Sequence, residues 1–130
     1  FSGTARYRTT FDAPSTATAD GWRLELGTVC HSARVRLNGA DIGTVFARPW
    51  RLDLPPGALK PGRNELEVEV TNLMANRLAD LERRQGARWR PFLMVNIHYK
   101  PFDAAKWKPV PSGLLGPVRL LPLRTRRTEI

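Results

Sequence analysis

The 130-residue sequence lacks the features that mark several large classes of protein. Its one cysteine, Cys30, excludes an internal disulfide framework and a zinc site built from four cysteines. No apolar run approaches the roughly 20 residues that a membrane-spanning helix needs, so we expect no membrane partner. Apolar residues make up 42% of the chain and charged residues 25%, which is typical of a single globular domain with a packed core.

Catalytic signatures are also scarce. The sequence has neither a Gly-x-Ser-x-Gly nucleophile elbow nor a glycine loop that cradles phosphate. Cys30 and His31 are neighbours, and neighbours on a strand point to opposite faces, so we predict a core cysteine rather than a catalytic dyad. Glycoside hydrolysis needs two carboxyl groups about 5 to 9.5 Å apart, and no pair here is placed for that role. We therefore predict that the chain itself is not an enzyme.

The net charge is +9, and 17 of the 21 basic residues are arginine. A basic surface for a polyanion is one interpretation, and arginines that simply cover the surface are the other. The even spread of arginine along the chain favours the second, apart from a predicted basic C-terminal tail at residues 124–130. No RNP-like strand, KH loop or recognition helix is visible, which argues against a nucleic-acid partner.

Apolar and polar residues alternate with period two in four segments, which predicts half-buried antiparallel strands. The predicted inward residues are Ala5, Tyr7, Thr9 and Phe11; Trp22, Leu24 and Leu26; Val35 and Leu37; and Leu66, Val68 and Val70. Asn38-Gly39 lies between two such segments and predicts a tight hairpin, because both residues tolerate positive φ. Short strands separated by turns favour a β-sandwich.

Outward rows of opposite charge accompany these strands. Arg34 and Arg36 lie on one predicted strand, and Glu65, Glu67 and Glu69 lie on another. We predict that the rows pair across strands and form a solvated structural face.

One helix is predicted to interrupt the strands. Asn72 is a candidate N-cap for a helix that starts near Leu73, and Gly86 can end it. Met74, Leu78 and Leu81 follow helical spacing, which predicts a packing stripe.

Residues 87–112 combine aromatic residues with prolines and have little periodicity, which is typical of a functional connection or a lid. Aromatic rings cover the apolar faces of sugars, and polar side chains bond the hydroxyl groups. The candidate carbohydrate-binding residues are Arg88, Trp89, Asn96, His98, Lys100, Asp103 and Trp107. The alternative is that Trp89 and Trp107 wedge this segment against the sandwich. Trp22 is predicted to lie in the core, and Trp50 either packs in the core or lines the sandwich end.

Several motifs then occur in a familiar order. They are FSGTARY (1–7), LELG (24–27), ARVRLNG (33–39), GTVFARPW (43–50), LKPGRN (59–64) and LEVEVTN (66–72). This order resembles the galactose-binding-like β-sandwich of glycoside hydrolases, in particular the sugar-binding domain of glycoside hydrolase family 2. The later motifs NRL (76–78), NIHYKPFD (96–103) and SGLLGPV (112–118) resemble the C-terminal region of family 106 α-L-rhamnosidases.

The resemblance implies an all-β, antiparallel jelly-roll sandwich with one short helix, which we expect to span residues 1–123. It implies a non-catalytic carbohydrate-binding module that accompanies a catalytic glycoside hydrolase domain, and an extracellular or periplasmic location. The ligand expected is a plant polysaccharide and, if the net charge of +9 contributes to binding, an acidic one such as pectin. The alternatives are a structural domain that braces the catalytic domain and a basic module that binds polyanions.

Two further expectations concern what the module contains and where it comes from. The resemblance requires no cofactor, although many such domains hold a structural calcium, and no dense Asp/Glu cluster here marks a site for one. The sequence starts at Phe1 without a methionine, so we expect it to be part of a longer polypeptide.

Overall fold

The computed structural model of the chain describes residues 1–14, 19–86 and 103–124. These residues form nine β-strands, one α-helix and a short 3-10 turn at Ala104–Lys106. The strands are β1 (Thr4–Asp12), β2 (Gly21–Glu25), β3 (Thr28–Cys30), β4 (Ser32–Leu37), β5 (Ala40–Val45), β6 (Arg51–Leu54), β7 (Arg63–Thr71), β8 (Gly113–Gly116) and β9 (Arg119–Leu123), and the helix is α1 (Ala75–Gln85).

The chain divides into two compact units. The larger unit comprises Thr4–Asn72 and Ser112–Ile130, and the smaller comprises Phe1–Gly3 and Leu73–Pro111. The described strands belong to the larger unit, and α1 belongs to the smaller. The expected domain end at residue 123, before a basic tail, stays a prediction.

The larger unit is built from antiparallel sheets, which confirms the predicted all-β sandwich. One sheet has the order β1-β7-β4-β5, a second has β6-β2-β9, and β3 pairs with β8. Val35 on β4 and Val68 on β7 are almost fully buried, and their neighbours at period two are buried with them. Leu24 and Leu26 face the same core from the second sheet. The alternating pattern therefore marked the inward faces of β2, β4 and β7 correctly.

The first strand departs from its predicted burial. Tyr7 is 38% exposed and Thr9 is also exposed, although the alternation placed both on the buried face. β1 is the edge strand of its sheet and pairs only with β7. An edge strand has a neighbouring strand on one side only, so its side chains are less covered than those of a central strand. The period-two pattern therefore indicates which residues share a face of the sheet, but it does not indicate how far each side chain is buried.

The predicted hairpin is confirmed at Asn38-Gly39. The two residues join β4 to β5, with φ values of 53° and 82°. Positive φ at both central positions is the geometry whose twist matches that of the flanking strands. Asn and Gly adopt it with little strain, which explains why this pair occurs here.

The helix forms where the spacing predicted it, but its start differs. α1 begins at Ala75 with Met74 as the capping position, so the prediction of Asn72 as N-cap is wrong. The Asn72 Nδ2 instead donates to Ser112 Oγ at 2.7 Å. Gly86 ends the helix with φ 66°, as predicted, and Arg83 and Arg84 lie in its last turn. Leu78 and Leu81 are half-buried, and the most buried helix residues are Ala79 and Glu82.

Candidate functional site

Two of the seven predicted carbohydrate-binding residues, Asp103 and Trp107, lie in the described part of the chain. The other five lie outside it: Arg88, Trp89, Asn96, His98 and Lys100. The predicted site as a set therefore stays a prediction.

Asp103 and Trp107 flank the 3-10 turn of the smaller unit. Lys106 Nζ lies 2.9 Å from Asp103 Oδ2, and its hydrogen bond lowers the pKa of that carboxyl. The Trp107 carbonyl accepts a hydrogen bond from Arg83 Nη2 at 2.5 Å, and the residue is half-buried. The backbone that carries the tryptophan is thus tied to α1 through Arg83.

The outer face of the four-stranded sheet carries paired charges, as the sequence predicted for Arg36 with Glu67 and Glu69. The predicted solvation is wrong for Glu67, which is buried. We call the set Arg6, Arg8, Arg36, Glu67 and Glu69 the charge ladder. Glu67 lies at its centre, where Oε1 accepts from Arg36 Nη1 at 2.6 Å and Oε2 accepts from Arg8 Nε. Arg6 Nη2 donates to Glu69 Oε1 at 2.7 Å. Each arginine of the charge ladder therefore has a carboxylate partner, which leaves little free charge on this face.

These contacts explain the electrostatics of the ladder. The hydrogen bond from Arg8, reinforced by Arg36, holds the pKa of the Glu67 carboxyl below its ordinary value although the side chain is only 8% exposed. The hydrogen bond from Arg6 lowers the pKa of Glu69 in the same way. Arg34 departs from the expected pairing, because its guanidinium bonds Asp41 on the hairpin partner strand, at 2.5 Å from Nη2 to Oδ2.

One opening in the described part of the larger unit is a cleft of about 620 Å³, which we call the Trp50 cleft. Its lining residues are Glu25, Gly27, Thr28, Arg48, Pro49, Trp50 and Arg51. Trp50 is half-buried, and it packs against the core while it lines the cleft. Both sequence-based alternatives for this tryptophan are therefore realised together.

The backbone around Trp50 is held on both sides. Leu26 N donates to Trp50 O at 2.8 Å, which ties the segment before β6 to the end of β2. Arg51 N donates to Pro49 O at 2.9 Å, which closes a tight turn around Trp50. The backbone at Trp50 is thus fixed without a ligand while its side chain packs against the core, and such preorganisation lowers the entropic cost of binding.

Arg48 and Arg51 were not among the predicted site residues. Both are exposed, and among the described residues neither guanidinium has a hydrogen-bond or ion-pair partner. The sequence signal was the motif Arg48-Pro49-Trp50-Arg51, in which two cations flank an aromatic ring at the start of a strand.

Trp22 lies at the other end of the β2–β6 pair. It is half-buried rather than enclosed in the core, so its predicted depth is wrong. With Pro55 and Pro56 it lines a second cleft of about 320 Å³. In the register of the two strands Trp22 faces Leu54, whereas Glu25 faces Arg51, so the two clefts lie at opposite ends of the pair.

The described residues do not fit a calcium cage. Calcium takes six to eight oxygen ligands, and within residues 1–14, 19–86 and 103–124 no group of three His, Cys, Asp or Glu side chains is placed to hold a metal ion. Cys30 is a free, half-buried thiol and not a core residue, because β3 pairs only with the short β8. No helix in this part of the chain is long and apolar enough to cross a membrane.

Comparison with known proteins identifies similar chains. A family model described as "Glycosyl hydrolase 2 galactose-binding domain-like" matches residues 2–105. A putative β-glucuronidase of Formosa agariphila is 37% identical over a 140-residue alignment that covers 92% of this chain and 12% of that protein. The solved structure of a rhamnosidase from Novosphingobium sp. PP1Y matches with a TM-score of 0.70 at 35% identity, covering 92% of this chain and 11% of that one. The chain thus spans a small part of each relative.

Proposed function

The chain belongs to the glycosyl hydrolase 2 galactose-binding-like domain family, and from that premise we propose that it is a non-catalytic carbohydrate-binding module. Its parent would be a polysaccharide-degrading glycoside hydrolase similar to the α-L-rhamnosidases, working in an extracellular or periplasmic space. The similarity to short parts of a rhamnosidase and of a putative β-glucuronidase supports a module that accompanies a separate catalytic domain.

The observation that carries this proposal is the Trp50 cleft. An aromatic ring in a preformed opening offers the apolar surface against which the C–H face of a sugar stacks. Glu25 and Thr28 line the same opening and supply an acceptor and a hydroxyl group for sugar hydroxyls. This is the combination of one flat apolar surface and a few polar groups that a carbohydrate requires.

The same cleft is poorly suited to hydrolysis. Glu25 supplies the single carboxyl group among the residues that line it. Both retaining and inverting glycosidases use a pair of carboxyl groups, one to protonate the leaving oxygen and one to act as nucleophile or base. A lining with one carboxylate binds a sugar but lacks half of that machinery, which supports a non-catalytic role.

Affinity electrophoresis of the 130-residue chain against neutral and acidic plant polysaccharides tests the proposal. We expect one class of polymer to retard the folded chain at low and at high salt. Trp50→Phe should weaken retardation while it keeps the core contact, and Trp22→Phe in the second cleft is the matched control. Loss of retardation in Trp89→Ala and Trp107→Ala instead would move the site to residues 87–112. A folded chain that no polysaccharide retards would overturn the proposal.

A structural module that braces a catalytic domain is the second candidate function. Phe46 and Leu115 in the larger unit are 79% and 55% exposed, which is unusual for large apolar side chains. This function predicts no glycan binding and strong fluorescence of an apolar dye on the isolated chain. Phe46→Ser should then reduce the dye fluorescence without lowering the free energy of unfolding.

A polyanion-binding module that uses rows of arginine is the third candidate, and the charge ladder weakens it. Arg6, Arg8 and Arg36 are each paired with a glutamate, so the sheet face presents little uncompensated positive charge. This function predicts that every polyanion retards the chain and that the retardation is lost as the salt concentration rises. The tryptophan substitutions should then have no effect on it.

A further inference from the structure

Two arginines without a carboxylate partner in the described structure, Arg48 and Arg51, line the Trp50 cleft together with the aromatic ring. We propose that this cleft binds an anionic saccharide, with its carboxylate or sulfate ester group held by Arg48 and Arg51 and its sugar ring against Trp50. The inference rests on the proposed carbohydrate-binding function and names the residues and the ligand class.

The first argument is the contrast with the other arginines of the strands. Five of these each bond a carboxylate: Arg6, Arg8, Arg23, Arg34 and Arg36. Arg48 and Arg51 have no such partner among the described residues. Arg63 on β7, which donates to Thr10 Oγ1, and Arg119 on β9 also have no carboxylate partner in the described structure, but neither lines the Trp50 cleft. Arg48 and Arg51 differ from them because both line one cleft together with an aromatic ring.

The carboxylate nearest in sequence to Arg51 is already engaged. Arg23 donates to both oxygens of Asp53, from Nε to Oδ1 at 2.5 Å and from Nη2 to Oδ2 at 3.0 Å. Both oxygens of Asp53 accept from this one guanidinium, and no hydrogen bond or ion pair joins Asp53 to Arg51 in the described structure. Glu25 faces Arg51 in the strand register, yet no ion pair joins the two side chains in the described structure. Arg51 is therefore available to a ligand.

The chemistry of the guanidinium selects the ligand class. Arginine presents a planar fork of N–H donors that matches the oxygens of a carboxylate or a sulfate. The lining carries two positive charges and one negative charge, so the cleft favours an anion near the arginines. Glu25 disfavours a second acidic group on its own side and accepts from sugar hydroxyls instead. Together these groups match a sugar with one acidic substituent.

The test compares charged and neutral forms of the same polymer. Polygalacturonate and its fully methyl-esterified form separate the uronate carboxylate from the neutral backbone, and dextran sulfate and dextran separate the sulfate ester. Binding is measured by affinity electrophoresis at ~0.15 M salt, where long-range effects of the net charge are screened. We expect one acidic polymer to bind at least about tenfold more tightly than its neutral form, since charge-assisted hydrogen bonds are lost with the anion.

Charge-matched variants then locate the contact. The double variant Arg48→Gln/Arg51→Gln should weaken binding of that acidic polymer at least about tenfold. Arg77→Gln/Arg124→Gln removes the same charge from two exposed arginines outside the cleft lining, and it should leave affinity within about twofold. Arg48→Lys/Arg51→Lys keeps the charge but loses the planar fork, and it should give an intermediate affinity.

The outcomes separate this inference from the function on which it rests. Equal weakening by both double glutamine variants would mean that net charge alone attracts the polymer, which overturns the inference. Equal binding of acidic and neutral forms, still dependent on Trp50, would keep the carbohydrate-binding function and reject the anionic ligand. No binding of any polymer by the folded chain would reject both.

Discussion

Asn38 Nδ2 donates a hydrogen bond of 2.8 Å to Asn64 Oδ1, which joins the β4–β5 hairpin to the turn before β7. Asn64 is 1% exposed, and its side chain forms three further hydrogen bonds. Oδ1 also accepts from Lys60 N at 2.9 Å, and Nδ2 donates to Lys60 O and to Gly62 O, both at 2.8 Å. One buried amide therefore holds the turn at residues 60–64 and connects it to the hairpin.

Asn64→Ala should lower the free energy of unfolding by about 3 kcal/mol, because all four hydrogen bonds of the buried Asn64 amide are lost. Chemical denaturation of the variant and the wild-type chain measures this. Asn38→Gly is the matched variant, since glycine keeps the positive φ of the hairpin while it removes the side chain that reaches Asn64. It should cost less, about 1 to 2 kcal/mol. Asn64→Ala within about 0.5 kcal/mol of the wild type would show that the network contributes little.

This network shows what the sequence could and could not predict. The pair Asn38-Gly39 predicted a hairpin because backbone conformation is a local property of the two residues. The partner of the Asn38 side chain is 26 positions away, and nothing local to either residue indicates the contact. The same limit applies to Arg48 and Arg51, which differ from the paired arginines only in what surrounds them. The alternation of apolar and polar residues predicts the strands and their buried faces. Which arginines lack a carboxylate partner depends on contacts between strands, which this alternation does not indicate.

Gly27 and Gly116 approach so closely that a side chain at Gly27 has no room. A Cβ at Gly27 would lie 2.3 Å from the carbonyl carbon and oxygen of Gly116, and Gly27 has φ 68°. Gly27→Ala should therefore lower the free energy of unfolding by about 3 kcal/mol or more, from overpacking and backbone strain together. The measurement is the midpoint of denaturation.

Gly57→Ala is the control for the Gly27 prediction. Gly57 has φ 78°, and a Cβ there would meet nothing within 4 Å, so this substitution adds backbone strain alone. It should cost about 1 kcal/mol. If the two variants lose equal stability, the close approach of the Gly116 backbone does not constrain Gly27.

The charge ladder predicts that stability falls in acid. The pKa of Glu67 is lowered by its hydrogen bond from Arg8, so the folded state binds fewer protons than the unfolded state near the ordinary pKa of 4.5. Its contribution is complete above that value and is lost as the pH falls through the lower folded pKa. Denaturation midpoints measured from about pH 7 down to about pH 3 should therefore decrease in acid.

Variants assign this pH dependence to Glu67. Glu67→Gln should lower stability at neutral pH, because Arg8 and Arg36 lose a charged partner, and it should flatten the decrease in acid. Glu65→Gln on the same strand is the control, since Glu65 makes no ion pair among the described residues. Glu65→Gln should show the same decrease in stability in acid as the wild-type chain. A Glu67→Gln curve parallel to that of the wild type would contradict the assignment.

The Asn76 side chain forms hydrogen bonds with both the N–H and the C=O of Val110. Its Nδ2 donates to Val110 O at 2.8 Å, and its Oδ1 accepts from Val110 N at 2.9 Å. Asn76→Ala removes both bonds, so the Val110 amide should exchange its hydrogen at least about fivefold faster, measured by hydrogen exchange with residue resolution. Asn76→Asp keeps the acceptor and should protect this amide better than alanine does. The Trp107 amide, which donates to Ala104 O at 3.1 Å, is the internal reference and should change less. Equal acceleration at Val110 and Trp107 would mean that the substitution opens the whole segment, and that Asn76 acts by holding it in place rather than by protecting one amide.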